Sequence, residues 1–315
     1  MKRFLFLLSF LVFFNSVSNT IQAQYYFYND NYYYSPITYE IGASVGVMNC
    51  MTDLGGKQGL GKKFTKDLNL GENHLAFGAF ASVTYKSAVA LRLEASFGKV
   101  SANDAVLKSV PFTDIASGRY HRNLSFESSI SEFSILAEVH PLFIFWNWEE
   151  NENGPPKFSP YLVGGIGQFS FSPQAKLGNN MIDLQPLSTE GQGFSEYPDR
   201  PVYKLKQMNY PIGLGLKYEL SSLLSLRAEF LYRILSTDYL DDCSTNYVDP
   251  AVYENYFSGA KRNNAIALSN RQYEIGDDFY KMGIGSQRGS PKQKDSYFSF
   301  NFKIALNLGR ERIRD

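Results

Sequence analysis

Residues 298–308 read Phe298-Ser299-Phe300-Asn301-Phe302-Lys303-Ile304-Ala305-Leu306-Asn307-Leu308. Phe298, Phe300, Phe302, Ile304, Leu306 and Leu308 fall on alternate positions, with Ser299, Asn301 and Lys303 between them. Successive side chains of a strand point to opposite faces, so this period of two predicts a strand with one apolar and one polar side. The same pattern recurs along the chain. Tyr39, Ile41, Ala43, Val45 and Val47 form one stripe; Leu75, Phe77, Ala79, Ala81, Val83 and Tyr85 form another. Val89, Leu91, Leu93, Ala95 and Phe97 stand opposite Arg92, Glu94 and Ser96, and Phe133, Ile135, Ala137 and Val139 opposite Glu132, Ser134 and Glu138. A Gly-rich strand is expected over 161–171. Ile212, Leu214, Leu216 and Tyr218 then face away from Lys217 and Glu219, and Leu224, Leu226, Ala228, Phe230, Tyr232 and Ile234 from Arg227, Glu229 and Arg233. Eight strands result, several of the length that a tilted membrane strand requires.

The connections choose between architectures. Short links at 86–88 and 221–223 alternate with long polar ones at roughly 49–72, 99–125, 172–207 and 237–296; the 141–157 link is a longer turn. Short turns at one end and long loops at the other are the pattern of an outer-membrane barrel. The expected fold is therefore all-β, an eight-stranded antiparallel transmembrane β-barrel over 37–308 with long external loops. Aromatic residues at stripe ends (Tyr39, Tyr85, Phe97, Tyr161, Phe171, Tyr218, Tyr232 and Phe298) are expected at the bilayer interfaces.

Composition agrees with this. The chain has 315 residues, 31 Lys+Arg balanced by 31 Asp+Glu, and an aromatic share of 16%. Its mean hydropathy is slightly negative, which excludes a polytopic helical membrane protein. Zero net charge without a basic block argues against a nucleic-acid partner. Two cysteines exclude a disulfide-dense scaffold and a cysteine-built zinc site. Lys2 and Arg3 precede an apolar run, Phe4 to Phe14, that is too short to span a bilayer and ends before the small residue Ala23. That reads as a secretory signal over 1–23. Residues 24–36 follow as a Tyr-rich periplasmic segment, and 309–315 form a C-terminal tail.

With the apolar stripes facing lipid, the lumen receives Glu40, Arg92, Glu94, Glu132, Glu138, Lys217, Glu219, Arg227, Glu229, Arg233 and Lys303. Eight strands enclose a space that side chains fill, and a lone buried charge is costly. These charges are expected to pair into a plug rather than line an open pore.

No catalytic, cofactor or metal site emerges. Residues 56–63, GKQGLGKK, fit most of a phosphate loop, but Lys63 replaces the Ser or Thr and the α/β context is missing. His74, His121 and His140 lack metal-ligand spacing, although separate strands could still bring a Ser and a His together. Cys50 and Cys243 both lie at the loop end, either as a disulfide or as two unbonded thiols. Asp238, Asp241 and Asp242 lack an EF-hand spacing and are expected to be solvated. Tyr25, Tyr26 and Tyr28 are a candidate interfacial anchor or periplasmic contact, and Phe145, Trp146 and Trp148 are candidate periplasmic contacts.

Several segments carry a family resemblance: Tyr39-Glu40-Ile41-Gly42 with Asp53-Leu54-Gly55-Gly56, Thr189-Glu190-Gly191-Gln192-Gly193, and Pro211 to Tyr218. Glu229-Phe230-Leu231-Tyr232-Arg233 follows, then Thr237-Asp238-Tyr239-Leu240-Asp241-Asp242-Cys243-Ser244-Thr245-Asn246-Tyr247. In this order, over nearly all of the mature chain, they resemble the Bacteroidetes outer-membrane β-barrel family that includes PorG, a type IX secretion component. The family pattern has Val where this chain has Cys243, a departure that gives the cysteine pair no family role. The resemblance implies a non-enzymatic subunit in the outer membrane. Its partners would be membrane lipid and the periplasmic ring proteins of that machine, a lipoprotein and its companion. A porin-like small-molecule barrel and a surface adhesion barrel are the alternatives.

Overall fold

The computed structural model describes residues 36–56, 70–111, 113–114, 116–146, 156–221, 223–276, 283–292 and 294–308. The expected signal, the Tyr25, Tyr26 and Tyr28 segment, most of 56–63, Trp148 and the 309–315 tail lie outside these residues.

Among the described residues nine strands follow in chain order: β1 Ile37–Met51, β2 His74–Tyr85, β3 Val89–Asn103, β4 Ser125–Val139, β5 Phe158–Leu177, β6 Asn180–Asp183, β7 Lys206–Glu219, β8 Leu224–Leu235 and β9 Ser296–Leu308. Eight of them close a ring of antiparallel neighbours, β1-β2-β3-β4-β5-β7-β8-β9, and β9 returns to β1 with Tyr39 opposite Leu308. Closure leaves no unpaired edge, which allows backbone to cross hydrocarbon. The short β6 is a hairpin extension on β5, above the ring. Short helices occupy the connections: α1 Ser117–Arg122, α2 Pro141–Phe145, α3 Tyr253–Tyr256 and α4 Gly259–Ser269. No helix among the described residues is long and apolar enough to cross a membrane.

The exterior is apolar around the ring. Leu162, Leu214 and Phe302, on three different strands, are each 59% exposed. Ile41, Leu75, Leu91, Ile135, Leu226 and Ile304 are exposed as well. A belt this continuous is tolerated against lipid and not against water. At one end the strands join through tight turns. Lys86 and Ser87 both adopt positive φ (49° and 57°), the mirror-image hairpin geometry that matches the strand twist, here built without glycine.

The strands run further at the loop end than alternation indicates, and the reason is a change of phase. On β4 the outward positions Phe133, Ile135 and Val139 are apolar, but Ser125, Glu127, Ser129 and Ser131 above them are polar. The inward positions change in the opposite sense, from Glu138, Ser134 and Glu132 to Ile130 and Phe126. β5 does the same, with Phe169, Phe171 and Ala175 buried inside. Above the bilayer the sheet therefore has a water-soluble pattern, apolar in and polar out. This corrects two interfacial expectations. Tyr161 and Phe171 are buried inside the barrel, whereas Tyr39, Tyr85 and Phe97 are exposed on the belt.

Candidate functional site

The lumen holds two layers. The first is ionic and lies toward the turn end. All eleven charged residues named for the lumen are buried there. Arg92 reaches Glu94 at 2.9 Å, Glu138 at 2.6 Å and Glu229 at 2.8 Å. Arg227 bonds Glu138 at 2.9 Å and also the Glu40 carboxylate. Lys303 bridges Glu94 and Glu229, each at 2.7 Å, and Lys217 holds Glu40 at 2.5 Å with Glu219 at 3.8 Å. Arg233 meets Glu132 at 3.0 Å, and the Tyr297 hydroxyl donates to the same carboxylate at 2.9 Å. Strands that send no charge into the lumen supply rings. Phe80 of β2 lies beneath the Arg92, Arg227 and Lys303 cations at 5.8, 5.3 and 5.2 Å. Tyr161 of β5 donates to Glu229 at 2.8 Å. A Cβ on Gly215 would come within 2.3 Å of the Tyr161 ring, so glycine there leaves that ring its place.

Each buried cation thus meets acids from other strands. Removing one partner would strand the rest in a medium of low dielectric, which makes the plug a mutually dependent set. Alternation could show which residues share the interior, Phe80 among them, since it falls between Ala79 and Ala81 of the apolar stripe. Tyr161 was hidden because an aromatic in a β-stripe reads first as lipid-facing.

One Ser/His set does assemble from separate elements. His140 Nδ1 is 2.8 Å from Ser159 Oγ, and His140 Nε2 is 3.3 Å from Glu138. The acid sits on Nε2 and the serine on Nδ1. Glu138 already serves two guanidinium groups, and all three side chains are buried. The arrangement extends the ionic layer to the turn end. No His, Cys, Asp or Glu group among the described residues could hold a metal.

The second layer is an apolar cap made by the upper strands and the long loops. A ladder of rings climbs through it: Tyr297 to Phe169 at 5.6 Å, Phe169 to Phe171 at 5.3 Å, Phe171 to Tyr203 at 6.1 Å and Tyr203 to Tyr239 at 4.7 Å. Leu54, Leu124, Leu184, Leu187, Leu240 and Leu268 pack round it, drawing every long loop into one core.

The two family-motif segments meet in this cap. Thr189 donates to the Asp242 carboxylate, which also accepts from the Tyr203 hydroxyl at 2.6 Å. Glu190 is buried and accepts from the Ser244 and Thr245 amides at 3.0 and 2.9 Å and from the Thr245 hydroxyl at 2.7 Å. Arg288 closes the set with bonds to Glu190 at 2.9 Å, the Asp242 carbonyl at 2.6 Å and the Ser269 carbonyl at 3.1 Å. Gly191 and Gly193 have φ of 73° and 83°, the left-handed turn that brings Gln192 Oε1 to the Glu190 amide. Arg288 was missed from sequence because nothing local marks it; its partners lie on other loops.

The acids of the 238–242 segment are not solvated, as their spacing suggested. Asp241 and Asp242 are buried and Asp238 is half-buried, because the loop folds down onto the barrel mouth. Burial pushes the Asp238 carboxyl up to about 8, helped by Asp53 and Glu190, against a hydrogen bond from Ser244 and the Lys294 charge. Burial also lifts Asp242, to about 6, although Arg288, Thr189 and Tyr203 hold it back. Asp241 and Asp295 are raised by burial and by their acidic neighbours, Asp53 and Asp238 among them. The disulfide alternative is corrected in the same region. Cys50 and Cys243 are free and buried. The Cys243 thiol donates to the Arg288 carbonyl at 3.2 Å and that of Cys50 to the Ser101 carbonyl at 3.5 Å. At the opposite end, Phe145 and Trp146 of the 141–157 turn are exposed.

No family model and no curated protein matches the chain. Solved structures similar to it include the N-terminal β-barrel domain of Pseudomonas aeruginosa OprF, at 9% identity and TM-score 0.33, covering 87% of this chain and 98% of that one. OprG from Pseudomonas aeruginosa has 10% identity and TM-score 0.36, covering 86% and 95%. A major outer membrane protein from Thermus thermophilus has 13% identity and TM-score 0.37, covering 86% and 99%. That correspondence is architectural, and the fold assignment rests on the chain's own pairing register and surface. A closed ring of eight antiparallel strands with an apolar exterior and a filled interior makes this chain an outer-membrane β-barrel.

Proposed function

We propose that this barrel is a closed, non-enzymatic structural subunit of the type IX secretion apparatus, bound at its turn end to the periplasmic ring lipoprotein and its companion. The observation that carries the reading is the doubly filled lumen, ion pairs below and a folded cap above, in a barrel whose work is then done by its outer surfaces. The apparatus itself comes from the family resemblance. The segments that carry this resemblance, 189–193 and 237–247, bond to each other within the cap. They therefore serve the barrel's own closure, which leaves the opposite end for periplasmic partners.

Pull-down of the tagged full-length chain from detergent-solubilised envelopes is the test. Co-purification of the ring lipoprotein is expected, and its absence beside a working positive control overturns the assignment. Planar-bilayer recording separates the porin-like alternative. A closed barrel gives no stable conductance, whereas a steady open level would replace this reading with a channel.

A further inference from the structure

Helix α2 with the residue after it, Leu142-Phe143-Ile144-Phe145-Trp146, is an unbroken apolar run, yet none of the helix is buried. Ile144 is 47% exposed, Phe145 85% and Trp146 51%. A helix of this composition that packs into no core needs another apolar phase around it. Its position supplies one. β4 leads into it with Phe133, Ile135 and Val139 on the lipid side, and the chain re-enters the barrel through exposed Phe158. The Phe158 ring packs on Tyr218 at 4.7 Å, and exposed Leu220 and Leu223 follow in the neighbouring turn. The patch therefore continues the lipid belt past its lower rim. It is also tied to that rim, since the His140 amide donates to the Ala88 carbonyl at 2.7 Å.

We propose that α2 and Trp146 form an interfacial foot that lies in the headgroup–acyl boundary of the leaflet at the turn end, with phospholipid and not a protein as its occupant. Aromatic side chains are favoured at that depth, and an apolar stretch too short to span can lie along it. No charged residue in 141–146 opposes the insertion. The foot would add to the apolar belt in fixing the height and tilt of the barrel, because it places rings beyond the belt's lower rim at the headgroup level.

The chain has two tryptophans, Trp146 and Trp148, so Trp148→Phe leaves Trp146 as the single tryptophan emitter. The purified full-length variant is reconstituted into phosphatidylethanolamine/phosphatidylglycerol vesicles brominated at shallow or deep acyl positions. Blue-shifted emission, quenched more by shallow than by deep bromine and little by aqueous iodide, is expected. Red-shifted emission quenched by iodide and untouched by brominated lipid overturns the proposal and leaves the patch to a protein. Adding Phe145→Asp should weaken the lipid quenching while the barrel keeps its heat-modifiable gel mobility, because Phe145 has no buried contact to lose. Unchanged quenching in that variant also overturns the proposal. Only lipid and purified protein are present, so the result stands or falls independently of any secretion partner.

Discussion

The guanidinium of Arg288 lies 2.9 Å from the carboxylate of Glu190, both buried and 98 residues apart in the chain. This pair joins two of the longest loops over the barrel mouth. Glu190→Ala would remove the acid from Arg288 and the acceptor from the Ser244 and Thr245 amides together. Breaking a buried pair from one side costs about 3–5 kcal/mol. The expected outcome is a cap that opens while the barrel persists. Limited proteolysis should cut 236–295 in the variant, with heat-modifiable gel mobility retained. A cap as resistant as the wild type would contradict the keystone role of the pair.

In the lumen, Arg233 and Glu132 form the most separable pair, since their other partners are Ser299, the Leu231 carbonyl and Tyr297. Arg233→Met and Glu132→Gln should each lower stability, the first by about 3–5 kcal/mol because it strands a buried carboxylate. The double variant should lose less than the sum of the two, with a coupling of about 0.5–3 kcal/mol. Urea unfolding midpoints in lipid vesicles measure all three. Simple additivity would mean that the two groups do not act as a pair.

The free thiols give a chemical check. Cys50 and Cys243 are buried in the folded chain, so native protein should resist alkylation by a membrane-impermeant reagent. After denaturation without reductant, mass spectrometry should find both thiols alkylated. Fewer than two modified sites would indicate a disulfide. Burial also pushes the Cys243 thiol up, away from its nucleophilic thiolate form, which works in the same direction.

Cap stability should depend on pH, with a definite sign. Asp238 and Asp242 rise from 3.8 to about 8 and about 6 when the loop is folded down, and Asp241 and Asp295 rise too. A carboxyl raised on folding takes up a proton as the cap closes. Its contribution is therefore fully present below about 4 and is lost as pH climbs through the folded value. Hydrogen exchange at the Leu240 and Cys243 amides should be slower, relative to intrinsic rates, near pH 5 than near pH 8. Asp238→Asn should flatten the upper part of that dependence. Protection that grows with rising pH would refute it.

The barrel strands were legible where lipid and lumen make opposite demands. Phe298 to Leu308 alternates cleanly because every second residue faces hydrocarbon and the others face the lumen. The same chemistry hid the upper strands. Across Phe126, Ile130, Phe133 and Ile135 the apolar positions switch from inward to outward, and a window centred there sees no period. Tyr161, Phe169 and Phe171 were hidden in another way, since rings in a Gly-rich strand pack inward wherever neighbours such as Gly215 leave room. The cap was illegible for a third reason. Leu240 reaches Asp295, Arg122 reaches Arg288 and Asn123 reaches Arg271 across 55, 166 and 148 residues, and none of these bonds leaves a local pattern. The resemblance marked 189–193 and 237–247 without showing that they touch.

The ionic layer also governs how such a chain can be assembled. Lys303 on the last strand neutralises Glu94 from 209 positions earlier, and Arg227 meets Glu40 across 187. Until β9 docks on β1, several carboxylates and cations would face an unfinished interior without counter-charges. Contacts of this range form late and slowly. A partly inserted intermediate would hold naked charge at the level of the bilayer, so strand insertion and ring closure must be coupled. The molecule is then kinetically a single event, assembled whole or returned to water.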